Sequence, residues 1–477
     1  MLINALEFHA RQQPFATALI SNERSWSWAD FHQDVSAFAE TLRQAKVHRL
    51  ALALGNTPAW IIADLACLKA GVVCIPVPPF FSDQQREWLM NSSGADAILA
   101  PTHISGLALM STAQGMLHIC RKEGLPLLHS GTVKITYTSG TTGTPKGVCL
   151  SATGLEWTAG ALAGLMKPLS LQRHLVTLPL STLLENICGS YVPLLLGVTA
   201  CVPDLKALGF SGSNQFSPEI FAEALRRWHP QTLVLVPELL RALMIIHRRS
   251  PEVTAPLRYV AVGGARVSQQ LISTARSAGL PIFEGYGLSE CGSVVALNHQ
   301  HHEMAGSAGK PLEGVSLTFH DAELHVRSPG NALGYLGEAP FTGSIATGDL
   351  AEQDTSGFIH IRGRRKNVQI NAFGRNFSPE WVEAEAMNCT AVRRLVIFGE
   401  GLKKNVALVH TFEGMEASAR EQLRALSDRL PDYARPHHLI FTPLISSPEV
   451  LTANGRPRRE RVWALMKTQI LNIEEIR

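Results

Sequence analysis

The sequence has no CxxC pair and no short-range Cys/His grouping of the kind zinc needs, although it carries eight cysteines (Cys67, Cys74, Cys120, Cys149, Cys188, Cys201, Cys291 and Cys389). Scattered through apolar segments, these read as reduced core thiols of a cytoplasmic protein. Nor is there an excess of one charge. With 43 basic and 40 acidic side chains, the chain lacks the broad positive surface of a nucleic-acid binder, so any basic site has to be local. A membrane span is also missing: the most apolar stretch, Tyr191 to Val202, is interrupted by Pro193 and Gly197 and falls short of the roughly 20 residues a bilayer requires. The first residues, Met1 to Pro14, carry Glu7 and His9 in place of a charged-then-apolar leader, which argues against a signal peptide. No internal repeat or low-complexity tract is visible.

What is present is a globular composition, 45% hydrophobic over 477 residues, enough for several cores and, by length, for two to four domains. Short apolar runs ending in Gly, Pro or Asn (Arg49 to Leu54, Gly71 to Val77, Ala97 to Ala100, Thr232 to Val236, Tyr259 to Val262) have the texture of buried strands. Helical patterns lie between them. Trp60 to Ala70 closes with Gly71, and Pro218 to Trp228 follows Ser217, a residue suited to an N-cap before proline in the first turn. This alternation predicts α/β layers on mostly parallel sheets.

From about Ser316 the texture changes to short alternating strands with turn signals, which predicts a small β-rich subdomain. Beyond it, helices are expected over Pro379 to Met387 and Met415 to Leu430, separated by the apolar run Leu395 to Phe398. The boundary is placed near Arg362 to Lys366, giving an N-terminal unit over 1–363 and a C-terminal α+β unit over 364–477.

One segment stands out chemically. Thr136 to Val148 (TYTSGTTGTPKGV) concentrates glycines and hydroxyl residues after a short apolar run, and so offers backbone N–H groups and side-chain donors to a polyphosphate. Lys146 adds a mobile cation. The lysine follows Pro145 and precedes Gly147, so the segment is not the GxxxxGK[ST] loop of ordinary NTPases.

This segment resembles the phosphate loop of the adenylate-forming superfamily: acyl-CoA synthetases, peptide-synthetase adenylation domains and luciferases. Further segments match the family pattern in order along essentially the whole chain. Gly263, Gly264 and Ala265 resemble the strand-end turn beside adenine and the acid. Glu284 to Glu290 (EGYGLSE), including Gly285 and Gly287, resembles the segment whose aromatic residue packs on adenine, here Tyr286. Its hydroxyl residue, Ser289, would reach the α-phosphate, and its glutamate, Glu290, would hold Mg²⁺.

Gly306 to Gly314 (GSAGKPLEG) matches another family motif. Thr347-Gly348-Asp349 resembles the motif whose aspartate accepts both ribose hydroxyls, Arg364 the arginine that contacts nucleotide, and Lys366 the hinge about which the C-terminal domain turns. Gly374, within Phe373 to Glu383, falls where relatives line the pantetheine tunnel. The implied fold is a large N-terminal domain of two doubly wound α/β subdomains with a β-rich subdomain, followed by a small mobile α+β domain.

The resemblance implies ATP-dependent joining of a carboxylic acid to AMP, with transfer of the acyl group to CoA or to the phosphopantetheine of an acyl carrier protein. Positioning and charge neutralisation carry such a step. Lys146, the loop residues Thr138, Ser139, Gly140, Thr141, Thr142 and Gly143, and Glu290 with Mg²⁺ would supply them.

The sequence departs from the family in two places. The usual C-terminal lysine after Asn-Gly is Arg456 here, a forked cation bulkier than lysine. The aspartate that pairs with an amino acid's ammonium is replaced at the matching position by Leu180, which favours an apolar acid. The phrases STLLENI, FGRNFSPEWVE and LTANGRPRR resemble bacterial fatty acyl-CoA synthetases, which implies a medium- or long-chain fatty acid as the substrate. Arg364, Arg365, Arg458, Arg459 and Arg461 form either a solvated basic face or a contact for CoA phosphates or an acidic carrier protein. A catalytically weak acyl-nucleotide binding protein is the alternative of a different class.

Overall fold

The computed structural model describes residues 1–79, 81–104, 107–120, 126–138, 145–211, 215–373, 375–452 and 455–475. Its organisation follows from helices that are apolar on every side. In Pro58–Ala70, Trp60, Ile61, Ile62, Leu65 and Cys67 are buried around the whole circumference, and Gly71 ends the helix in the left-handed conformation at φ 74°. Such a helix has to be covered from all directions. Together with Ala152–Met166 it lies between a nine-stranded and an eight-stranded sheet, in a core that draws Leu50, Val148, Ala200 and Phe283 from both.

The outer faces are covered by helices with a single buried stripe. Pro218–Trp228 turns Phe221, Leu225 and Trp228 inward and is capped by Ser217, whose Oγ accepts from Ile220 N at 3.3 Å. With Pro237–Arg249 and Gln269–Ser277 it covers the nine-stranded sheet, while Asp83–Ser93 contributes Leu89 to the outer core of the eight-stranded one.

In the nine-stranded sheet six neighbouring strands, from Ile282–Tyr286 through Tyr259–Val262, Thr232–Leu235, Arg173–Leu175 and Thr199–Cys201 to Thr17–Ile20, run parallel. Their C-terminal ends therefore open on one side, where a ligand crevice is expected. The eight-stranded sheet is parallel only at its centre, over Thr132–Thr138, Val73–Pro76, Arg49–Leu52 and Ala97–Ala100; its flanking strands are antiparallel.

Beneath both sheets' openings lies a buried ionic cluster. Lys134 Nζ sits 2.7 Å from Asp64 Oδ1 and donates to Tyr191 Oη at 2.9 Å and to Asn186 Oδ1. Tyr191 and Asn186 in turn donate to Asp64 Oδ2 at 2.7 and 3.0 Å.

A four-stranded antiparallel sheet from Ser316–His320 to Ile359–Arg364 forms the β-rich subdomain. After it, Val392–Phe398, Val406–Thr411 and His438–Phe441 make a three-stranded sheet flanked by Pro379–Ala386, Glu416–Arg429 and Arg459–Glu475, with cores of their own. This C-terminal unit is docked. Arg241 donates to Val392 O and Cys389 O at 3.3 Å, and Asn388 Nδ2 to Ser268 Oγ at 2.8 Å.

The strands Ala97–Ala100 and Tyr259–Val262 and the helix Pro218–Trp228 have the bounds read from sequence. The expected strand Gly71 to Val77 shortens to Val73–Pro76, because Gly71 serves as the helix cap instead. None of the eight cysteines forms a disulfide among the described residues, and Cys120 and Cys188 are only half-buried.

Candidate active site

A cleft of about 2440 Å³ runs between the N-terminal and C-terminal units. One end of it is built from turns. Strand Tyr259–Val262 stops at Gly263, whose N donates to Leu235 O at 3.1 Å, and Gly264 follows with φ 77°. Beside it, Ile282–Tyr286 carries Glu284, Gly285 and Tyr286 to the same edge. Gly287 has to be glycine: a Cβ there would lie 1.6 Å from Ser293 O. That tight crossing returns the chain to Ser289 and Glu290 at the cleft wall.

Tyr286 and Asp349, read from separate motifs, meet here. The tyrosine hydroxyl donates to Asp349 Oδ2 at 2.6 Å, Arg364 Nε donates to Oδ1 at 2.8 Å, and Arg364 Nη1 donates to Thr347 O at 3.0 Å. Asp349 and Arg364 are register partners in the β-rich sheet, which fixes the pair. Burial raises the Asp349 carboxyl pKa, opposed by Arg364 and the Tyr286 hydrogen bond. Each carboxylate oxygen keeps a second lone pair, so the group can still accept a ligand's hydroxyls.

Thr138 and Lys146 are register partners on an antiparallel pair, and both line the cleft. Lys146 Nζ lies 2.8 Å from Glu338 Oε1 and 4.5 Å from the centroid of the Tyr335 ring. The Tyr335 hydroxyl donates to Glu290 Oε1 at 2.7 Å. Tyr335 and Glu338 were not read from sequence; the GYLGE segment that holds them is too short to signal a site unaided. The Glu290 carboxylate, with the Ser289 and Thr138 hydroxyls lining the same cleft, is an oxygen donor of the kind that suits Mg²⁺, which needs few protein ligands when phosphates share its shell.

Arg456 reaches the same cleft from the opposite side, on a loop held by Arg394 Nη1 donating to Gly455 O at 2.7 Å. It keeps exposed surface, yet protein on both sides of the crevice desolvates the guanidinium. Its pKa is lowered by that burial and then by Arg364, with Glu238, Asp349 and Glu380 opposing. Lys366 lies in the short turn Arg365–Asn367 between the units, its pKa lowered by burial and then by Arg364.

The other end of the cleft is apolar. Leu184, Cys188, Val236 and Ala261 line it, only partly buried against the flanking cores. Leu180 is not part of this wall: it is fully buried in the core between the sheets, its N–H held by Asn56 Oδ1 at 2.9 Å. The position expected to face the acid is therefore not at the surface of this cleft. Glu185 is also buried, and it accepts from Thr177 N at 3.2 Å and Leu178 N at 3.3 Å.

The cleft thus brings together Thr138, Lys146, Gly263, Gly264, Ala265, Glu284, Gly285, Tyr286, Gly287, Ser289, Glu290, Asp349, Arg364, Lys366 and Arg456. Ser139, Gly140, Thr141, Thr142, Gly143 and Gly374 lie outside the described residues.

Comparison with known proteins adds an independent line. The family model described as AMP-binding enzyme matches residues 6–336. A feruloyl-CoA synthase from Amycolatopsis is 27% identical, with 94% of this chain and 97% of the relative covered. A long-chain-fatty-acid–CoA ligase from Mycobacterium bovis is 27% identical over 74% of this chain and 72% of its own. The o-succinylbenzoate CoA synthetase of Bacillus subtilis, solved with an acyl-adenylate intermediate, superposes with a TM-score of 0.78 at 23% identity, over 96% of this chain and 97% of that one. The same enzyme has been solved with ATP and magnesium ion, at a TM-score of 0.76 and 22% identity over 96% and 98% of the chains. Both solved complexes share the α/β architecture of a large N-terminal and a small C-terminal domain.

Proposed function

Because this chain belongs to the AMP-binding enzyme family, we propose that it activates an apolar carboxylic acid with ATP and passes the acyl group to CoA. At the coarser level it is an AMP-forming acid:thiol ligase. The observation that supports the detailed reading most directly is the Tyr286–Asp349–Arg364 cluster facing Arg456 across one cleft.

A carboxylate is a poor electrophile because its oxygen does not leave. In the first step an acid oxygen forms a bond to the α-phosphorus as the bond to pyrophosphate breaks, giving an acyl-AMP. In the second, a thiolate attacks the acyl carbon and AMP departs. Both steps depend on in-line placement and on neutralising charge.

In this reading Tyr286 packs on adenine beside Gly263, Gly264 and Ala265, Asp349 accepts the ribose hydroxyls, and Arg364 holds Asp349 in place while touching the nucleotide. Thr138 and Lys146, with the intervening loop, take the outer phosphates, and Ser289 the α-phosphate. Glu290 would hold Mg²⁺, which when bound neutralises phosphate charge. Arg456 bridges the acid carboxylate and the α-phosphate with its fork, a geometry to which guanidinium is suited. Lys366 is the hinge for the second step, and Gly374 lines the thiol's path. An ionised acid needs no general base.

The apolar end of the cleft supports a fatty or aryl acid, and the relatives' substrates include both kinds. Hydroxylamine trapping of a panel of acids with ATP and Mg²⁺ tests activation whatever the acceptor. Acyl hydroxamate with apolar acids is expected; ATP binding without hydroxamate or pyrophosphate exchange across the panel would overturn the reading. Supplying CoA or carrier protein to the same enzyme then identifies the thiol, and thioester with carrier protein alone would refute CoA.

A further inference from the structure

The apolar end of the cleft has a polar row in which the Tyr259 hydroxyl is already given to Asn298 O at 2.8 Å, whereas His174 is left unused by activation of a plain hydrocarbon acid. Parallel pairing sets His174 against Thr232 and Thr232 against Tyr259. Register partners point to one face, and the residues one position further on, Leu175, Leu233 and Val260, belong to the opposite core. His174, Thr232 and Tyr259 therefore stand in a row on the sheet face turned toward the central helix layer, and all three line the cleft. Gly263 is four residues beyond Tyr259, which puts the row about 13 Å below the strand-end turns. Val234 and Ala261, partners in register between the two levels, make the intervening wall apolar.

His174 is 2% exposed. Its Nε2 lies 3.5 Å from Glu185 Oε1, and that carboxylate also takes the N–H groups of Thr177 and Leu178. A carboxylate surrounded by donors orients Nε2 as one more donor. With Nε2 donating, a neutral imidazole presents Nδ1 as an acceptor, and among the described residues no hydrogen bond to Nδ1 is seen. A hydrocarbon laid against it would leave that acceptor without a partner, whereas a hydroxyl would satisfy it.

We propose that His174 determines specificity by accepting a hydrogen bond from a hydroxyl that the acid carries about 13 Å from the strand-end turns, so that the preferred substrate is a hydroxylated apolar acid. This rests on the activation reading above. The hydroxyl can belong to a phenolic aryl acid or to a hydroxylated fatty acid, and matched pairs separate the two.

The full chain with ATP and Mg²⁺ is assayed by hydroxylamine trapping on p-hydroxycinnamate against cinnamate, and on fatty acids hydroxylated at successive carbons against their parents. One hydroxylated member is expected to exceed its parent in kcat/KM by about tenfold or more, chiefly through KM. His174→Leu should bring that ratio toward one, while His174→Gln, which keeps an acceptor, retains part of it. Should the leucine variant fail to fold, the wild-type ratio and the glutamine variant decide.

Equal use of every pair, an unchanged ratio in His174→Leu, or preference for a keto acid over the matching hydroxy acid would overturn the proposal while leaving activation intact. Failure to trap any acid despite ATP binding would overturn the activation reading and this inference with it.

Discussion

The two ends of the cleft are made by different means. At the end proposed for the nucleotide the side chains lie within a few residues of a glycine that the backbone demands, whether in a turn or, like Asp349, inside a strand: Gly287 beside Ser289, Gly264 beside Ala265, Gly348 beside Asp349. At the acyl end the wall is a sheet face. His174, Thr232 and Tyr259 come from three strands far apart in sequence and meet only through register. Phosphate and ribose require donors and acceptors at fixed angles, which local turns supply; a hydrocarbon requires volume, which any set of packed strands can supply.

The deepest way to break this contrast is to remove what supports both ends. Lys134 lies on the strand Thr132–Thr138 that brings Thr138 to the cleft, and its partners Asn186 and Tyr191 flank Cys188 of the apolar wall. Lys134→Met would leave Asp64 buried without its cation, at a cost of about 3–5 kcal/mol, and chemical or thermal unfolding should show it. Adding Asp64→Leu should recover most of the loss. A single variant as stable as the wild type would mean the cluster carries no net charge pairing.

Next in size is the nucleotide end alone. Arg456→Ala is expected to slow acyl-AMP formation by about a hundredfold or more, with ATP affinity little changed, because in the proposed reading its cation acts where charge develops on the α-phosphate. Single-turnover kinetics of adenylation read the effect. An unchanged rate would hand the role to another cation of the cleft.

How much could be read beforehand follows the same division. Tyr286 and Asp349 are far apart in sequence, yet each carries its own short motif, and the structure joins them by a 2.6 Å hydrogen bond. The layered α/β order was legible from apolar runs and caps, because a helix apolar on all sides such as Pro58–Ala70 has no other place than between sheets. Leu180 shows the opposite. Which side of a turn faces the cleft depends on Asn56, more than a hundred residues away, fixing the N–H of Leu180 and the carbonyl of Leu178. Tyr335 and Glu338 likewise gain meaning only once the strand Gly334–Tyr335 pairs with Lys146–Ser151 and brings it and the residues that follow against Lys146 and Glu290.

The acyl end alone can be sharpened by filling it. Ala261 stands between the polar row and Gly263, so Ala261→Phe should raise KM for long acids by about tenfold through overpacking, while ATP affinity measured by calorimetry stays put. Equal losses for acid and nucleotide would show that the ends are not separable.

One further effect shows only as pH is varied, and it concerns a carboxyl group at the end proposed for the nucleotide. Glu284 has an oxygen, Oε2, that is buried without a hydrogen-bond partner, and burial pushes its pKa from 4.5 up to about 8 against the pull of Arg266 and Arg276. Between those two values the folded state holds a proton that the unfolded chain has released, so stability falls as pH rises through the window and the loss is complete above about 8. Glu284→Gln keeps the shape and removes the titration. Its unfolding midpoint should therefore match the wild type's dependence on pH below 4.5 and fall less steeply up to about 8, with the gap between the two proteins widening toward the alkaline end. Parallel curves across the window would mean that the two arginines keep Glu284 ionised, and the contrast would then be between a charged nucleotide end and an acyl end where Glu185 is surrounded by N–H donors.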